Sequence, residues 1–279
     1  MPERPLPEKL QERFKARTVE EMWQKNLVEG NVRWRHYRHF YGKLPSNPRC
    51  VNCHRPFAGP GGALLRALQG VKKSAKNPRF CADCYGFTSQ FPGGAEIELT
   101  MLFADVRGST SLAETMSATE FGRLMNRFYE AAISVLVPTD AFIDNQIGDE
   151  ITALFVPGFA GEEHAHKAVE AGRELLRVTG HGARSGPWVP IGVGIHTGEA
   201  WVGSIAGARG DAADFTALGD NVNVTARLAS QANRGEVLIS DATYKSAQLA
   251  NDRLEKRDLE LKGKSNRVGV RVIHVDSPL

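Results

Sequence analysis

The sequence predicts an α+β fold built on a ferredoxin-like βαββαβ unit, preceded by a helical and small metal-binding N-terminal region. Three observations lead there. In LTMLFADVRGSTSL (residues 99–112), Ile97, Leu99, Met101 and Phe103 alternate with their neighbours and run on to Asp105, as in a strand buried on at least one face. IGDEITALF (147–155) sets Gly148-Asp149 between two apolar runs, 141–147 and 151–156, which is a tight-hairpin signal. Helical spacing fills the segments before and after that hairpin, so the order reads strand, helix, hairpin, helix, strand. In such a topology the second hairpin strand lies antiparallel to the first. The hairpin turn then brings Asp149 beside Asp105, and two adjacent carboxylates repel unless a hard divalent cation sits between them.

Taken in order, residues 1–8 carry three prolines and read as a loose tail. Thr18 and Glu21 have capping-box spacing ahead of Met22, Trp23 and Leu27. The stretch 32–41, VRWRHYRHFY, reads as an amphipathic helix with docking aromatics and solvated arginines; a nucleic-acid surface is the weaker reading. Pro92-Gly93-Gly94 reads as a linker. After Asp105, Gly108 turns the chain and the hydroxyls of Ser109 and Thr110 are candidate helix caps. Ser117 and Glu120 form a second capping box, and Phe121, Leu124, Met125, Phe128, Ala132, Val135 and Leu136 follow at helical spacing until Pro138. Ala165, Ala168, Val169 and Leu176 mark another core-facing helix, with His164 and His166 expected in solvent near its start. Residues 189–195 and 200–205 read as two strands with a structural His196 between them, and 254–261 and 268–275 as the last strands. In DFTALGDNVNVTARL (214–228), Asn223 and Arg227 lie four apart and share a helix face.

All three motifs resemble, in order and spacing, the catalytic domain of class III nucleotidyl (adenylyl/guanylyl) cyclases of bacterial type, over residues 96–275. LFADVRGST resembles that family's first metal motif, IGDEITALF its second, and DFTALGDNVNVTARL its dimer-arm and transition-state motif; GVGIHTGEAWVG (192–203) and LKGK (261–264) fall where it has later strands. The resemblance implies two Mg²⁺ or Mn²⁺ ions held by Asp105, Asp149 and the Val106 carbonyl. It implies that Asn223 positions the ribose, that Arg227 stabilises charge on the α-phosphate, and that Lys264 with Lys262 meets the outer phosphates. It also implies a homodimer whose sites combine residues of both subunits. At the base-selecting positions the chain departs from pattern. Asn145 stands where adenylyl cyclases commonly carry Lys, and Thr216 where many carry Asp, although Thr is familiar in a bacterial branch. Neither the Glu nor the Cys typical of guanylyl cyclases is present. ATP is the favoured substrate, converted to cyclic AMP in intracellular signalling. A guanylyl or mixed-substrate cyclase and a catalytically silent dimeric nucleotide-binding module are the alternatives.

Charge separates the chain into parts. Residues 1–95 hold 17 Lys and Arg against 7 Asp and Glu, while the rest holds 18 against 25. The expected domains are a tail and helical segment (1–44), a Cys₄ region with its linker (45–94) and the catalytic domain (95–279). All four cysteines lie in the basic part, as Cys50-Val-Asn-Cys53 and Cys81-Ala-Asp-Cys84. Paired CxxC units suit one structural Zn²⁺, with an iron–sulfur cluster as the alternative. CVNCH matches the c-type haem pattern, but that chemistry needs export and leaves the second pair unexplained. No apolar run suits a signal peptide or a membrane span, so the expectation is a cytoplasmic protein with no membrane and no nucleic-acid partner.

Overall fold

The computed structural model describes residues 5–30, 32–44, 48–75, 77–206, 212–260 and 267–279, and only the backbone of residues 13, 32–34, 147, 206 and 212–214. The helices are α1 (Glu8–Phe14), α2 (Val19–Val28), α3 (Val32–Gly42), α4 (Gly59–Gln69), α5 (Ala82–Gln90), α6 (Ser109–Thr115), α7 (Ala118–Leu136), α8 (Pro157–Ala160), α9 (His164–Val178), α10 (Asp220–Gln231) and α11 (Asp241–Ser246). The strands are β1 (Gly93–Val106), β2 (Phe142–Ile147), β3 (Glu150–Phe155), β4 (Ile191–Ala206), β5 (Ala212–Leu218), β6 (Val237–Ser240), β7 (Glu255–Leu259) and β8 (Val268–Ile273). They divide into two compact units. The first gathers residues 1–97, 156–161 and 199–218, and the second gathers 98–155, 162–198 and 219–279.

The second unit is a mixed sheet in the order β2-β3-β1-β4-β6-β8-β7, whose first four strands have the βαββαβ arrangement. β1 and β3 run antiparallel with Asp105 opposite Glu150, and Gly148-Asp149 form the β2–β3 turn. Helix α7 starts from a complete Ser117–Glu120 capping box and buries Met125, Phe128, Ala132, Val135 and Leu136. Gly108, left-handed at φ 69°, is the cap residue of α6 with no side-chain hydrogen bond, so Ser109 and Thr110 are not caps there.

The expected break at His196 is absent, and β4 is one sixteen-residue strand. Its glycines make a packing track. A Cβ at Gly194 would collide with the Ala229 backbone nitrogen, and one at Gly198 would come within 2.7 Å of the Asn221 side chain. Helix α10 therefore lies directly on β4. His196 sits in the strand with both ring nitrogens engaged, 2.8 Å from Ser240 Oγ and 2.9 Å from Asn221 Oδ1. His164 is buried rather than solvated, its Nδ1 2.9 Å from Thr100 Oγ1, and burial holds its pKa below the usual imidazole value. His166 is exposed, as expected.

Near β6, Glu236 accepts from both Arg257 guanidinium nitrogens at 2.9 and 2.8 Å and from the Asn233 N–H at 2.9 Å. Burial pushes its pKa up, but these bonds win and hold it at about 2. A depressed carboxylate stabilises the fold above its unfolded pKa, and that contribution fades as pH falls toward the folded value. Glu236→Gln is expected to cost about 2 kcal/mol at pH 7. Denaturant melts of both proteins should converge between pH 4.5 and 2; a constant gap would place the loss elsewhere.

In the first unit, Thr18 caps α2 through the Glu21 N–H, and Met22, Trp23 and Leu27 are buried. Of the expected loose tail, residues 1–4 lie outside the described residues, and Leu6 is buried with its N–H bonded to the Arg17 carbonyl, while Pro5, Pro7 and Glu8 are exposed. On α3 the aromatic Tyr41 is buried, as expected of a docking aromatic, but the expectation of a solvated arginine fails at Arg38. Arg38 is wholly buried, with its guanidinium over the Phe159 ring and 3.0 Å from His54 Nε2, while Tyr37 and Phe40 are exposed. A planar, weakly hydrated cation tolerates such a place when its donors meet acceptors and an aromatic face. Among the described residues, no helix is long and apolar enough to cross a membrane.

Candidate active site

The carboxylate corner forms where β1 stops. An apolar strand delivers Asp105 to its end, and the Val106 N–H donates to the Asp149 carbonyl at 3.0 Å. Glycine allows the turn, since Gly148 is left-handed at φ 63°, and its carbonyl accepts the Tyr129 hydroxyl at 2.7 Å. Asp105 and Asp149 thus come together as the topology requires. Burial raises the Asp105 pKa, the Arg107 charge opposes that, and Asp149 adds to it. Glu150 joins them. It faces Asp105 across the ladder, and burial followed by the charges of Asp105 and Asp149 raises its pKa.

Sequence reasoning missed Glu150, which the register between β1 and β3 places opposite Asp105. It also passed over Arg107, whose guanidinium pairs with Asp105 and donates to the Ala229 and Ser230 carbonyls at 3.0 and 2.9 Å. These are C-terminal carbonyls of α10, where a cation is favoured. Arg107 therefore joins the acidic corner to the end of the helix that carries Asn223 and Arg227. On that helix Asn223 is exposed and Arg227 half-buried. Among the described residues, no hydrogen bond or ion pair links either of them to Asp105 or Asp149.

The Asn145 oxygen accepts from the Gln146 N–H at 3.0 Å, beside a bulge in β2. Thr216 lies on β5 opposite Gly203 of β4. Lys262 and Lys264 lie outside the described residues.

The four thiols form a separate centre. Cys50, Cys53, Cys81 and Cys84 are buried, unpaired by disulfides, and their sulfurs lie within 4.8 Å of one another. Cys53 Sγ and Cys81 Sγ are 3.7 Å apart, which matches the edge of about 3.8 Å that four Zn–S bonds of about 2.3 Å give a tetrahedron. The Cys81 N–H donates to Cys50 Sγ at 3.2 Å, a backbone bond that favours thiolate. The geometry and donor set fit a thiophilic ion. His54, the haem-pattern histidine, turns to Arg38 and stands outside this set.

Residues 95–273 match the model of the adenylate and guanylate cyclase catalytic domain. An adenylate cyclase of Anabaena cylindrica is 28% identical over 182 residues, which are 62% of this chain and 36% of that protein. The chain thus spans about a third of that relative's length. Among solved structures, the guanylyl cyclase Cya2 superposes with a TM-score of 0.57 at 30% identity, covering 67% of this chain and 96% of the other. The adenylyl cyclase CyaB from P. aeruginosa gives 0.55 at 30% identity, covering 66% and 96%.

Proposed function

The chain belongs to the family of adenylate and guanylate cyclase catalytic domains, and from that premise we propose that it converts ATP to 3′,5′-cyclic AMP and pyrophosphate as a homodimer. The observation that carries this reading is the acidic corner. Burial and mutual repulsion raise the proton affinity of Asp105 and Glu150 beside Asp149, despite the Arg107 cation. Hard oxygen donors under such strain suit divalent cations. Asp105, Asp149 and the Val106 carbonyl would hold two Mg²⁺ or Mn²⁺ ions. When bound, these neutralise phosphate charge and lower the barrier to in-line displacement.

In the reaction the ribose 3′-oxygen bonds to the α-phosphorus, the bond to the bridging oxygen breaks, pyrophosphate leaves and the hydroxyl proton passes to solvent. Asn223 orients the ribose, while the fixed fork of Arg227 meets charge growing on the α-phosphate oxygens. Lys262 and Lys264 are assigned to the outer phosphates. As the family resemblance implies sites that combine residues of both subunits, the reading has Asn223 and Arg227 serve the partner's corner.

With its oxygen held by Gln146, Asn145 offers its amide N–H to adenine N1, and the Thr216 hydroxyl accepts from the adenine amino group. The guanine carbonyl also accepts from an amide N–H. A mixed-substrate enzyme is therefore the second reading, in keeping with 30% identity to a guanylyl and an adenylyl cyclase alike. We further assign one Zn²⁺ to the four cysteines, residues 95–279 to the catalytic domain, residues 1–94 to an N-terminal regulatory region, and the protein to the cytoplasm, where nucleotide triphosphates are supplied.

The test is a product assay on the purified chain with ATP or GTP, in Mg²⁺ and then Mn²⁺. Cyclic AMP as the main product is expected. A faster GTP rate at equal concentration would overturn the ATP assignment, and no product from a folded dimer would favour the silent module.

A further inference from the structure

We propose that the four-thiol centre is a regulatory zinc site whose occupancy sets the order of strand β5, which carries Thr216. The proposal rests on the zinc assignment above and adds a path leading out of it. Helix α5 is the first link. Its nine residues, ADCYGFTSQ, include a glycine and several poor helix formers, and so short a helix does not stand alone in water. It is fastened at both ends. Cys81 is its N-cap residue and Cys84 lies in its first turn, so half of the thiol set is built on its start. At the far end the Trp23 indole N–H donates to the Phe91 carbonyl at 3.0 Å. Without an ion the first fastening is reduced to single hydrogen bonds such as that from the Cys81 N–H to Cys50 Sγ.

The second link is a chain of rings. Phe87 of α5 lies 5.7 Å from Trp23 and 5.4 Å from Phe91, and Trp23 in turn lies 5.8 Å from Phe215 on β5. Phe215 is buried, and the next residue is Thr216. Trp23, Cys84, Phe87, Phe91 and Phe215 also line one cavity of about 590 Å³. The buried Phe215 ring packs on Trp23, and α5 lies against β5. Among the described residues β4 is the only strand that pairs with β5, and this aromatic face adds to that support. Ion binding at the thiols orders α5, α5 holds the rings, and the rings hold Phe215 and Thr216.

The experiment is backbone amide exchange on the full-length reduced chain with zinc, after chelation, and after zinc is restored, with bound zinc counted in each sample. Zinc removal is expected to speed exchange in residues 215–218 by about tenfold or more, with residues 237–240 of β6 unchanged and full reversal on re-addition. Trp23→Leu is expected to keep one zinc per chain while exchange at β5 no longer responds to it. A reduced chain that binds no zinc would overturn the assignment and the coupling together. Zinc bound with β5 indifferent to its removal would overturn the coupling alone. Equal acceleration at β6 would make the ion a strut for the whole fold, which also overturns the proposal.

Discussion

Asp105→Ala and Arg227→Ala, each inactive by itself, are expected to restore about a quarter of the wild-type rate when mixed in equal amounts and allowed to exchange subunits. The figure follows from symmetry. If Asp105 of one chain works with Arg227 of the other, each pure variant has two defective sites. Half of the random dimers are mixed, and each mixed dimer holds one intact site beside one doubly defective one. Alone, Asp105→Ala removes a proposed metal-holding carboxylate, and a loss on the order of a thousandfold is expected. Arg227→Ala should lose a comparable factor by stripping charge compensation from the transition state. The assay is cyclic AMP formation against mixing ratio, with dimerisation followed by sedimentation. Additive, near-zero rates at every ratio in a dimeric sample would place both residues in one chain's site.

The second large effect concerns the thiols. Cys81→Ser removes a candidate ligand and places a hydroxyl at the start of α5, where the Cys81 N–H also bonds Cys50 Sγ. Three thiols hold an ion far less tightly than four, and metal binding in a centre of this kind is folding energy. An early melting transition at least about 10 °C below the main one is expected, together with loss of stoichiometric zinc. The cyclase rate is expected to change as well, although Asp105 and Asp149 are untouched. Unchanged melting and an unchanged rate would leave the thiols with neither a structural nor a regulatory part.

The legible features of the sequence were those with local causes. The alternation leading to Asp105, the Gly148-Asp149 turn and the stripe on α7 each state their conformation within a dozen residues, and the structure has all three. Long-range partners were not legible. Arg38 reads as a solvated arginine because Phe159, which covers it, lies 121 positions away. His164 reads as exposed because Thr100, which bonds its ring, belongs to a distant strand. Residues 191–206 read as two strands because the helix pressed against Gly194 and Gly198 appears only later in the chain. At the site, the Asp105–Asp149 meeting was readable from topology. Glu150 required the register, and Arg107 required the end of α10.

The first unit is drawn from three separated stretches, with Phe159 and Phe215 completing packing begun by Arg38 and Trp23. A ribosome must therefore reach residue 218 before the first unit can close. During that interval Trp23 and Arg38 lack their covers, and the nascent region is open to proteases and chaperones. The same layout resists modular exchange. A fragment ending at residue 97 forfeits both aromatic covers, and a fragment starting at residue 95 leaves Phe159 and Phe215 bare. The two units are interleaved along the polypeptide, so a recombination event that moved one would have to carry pieces of the other.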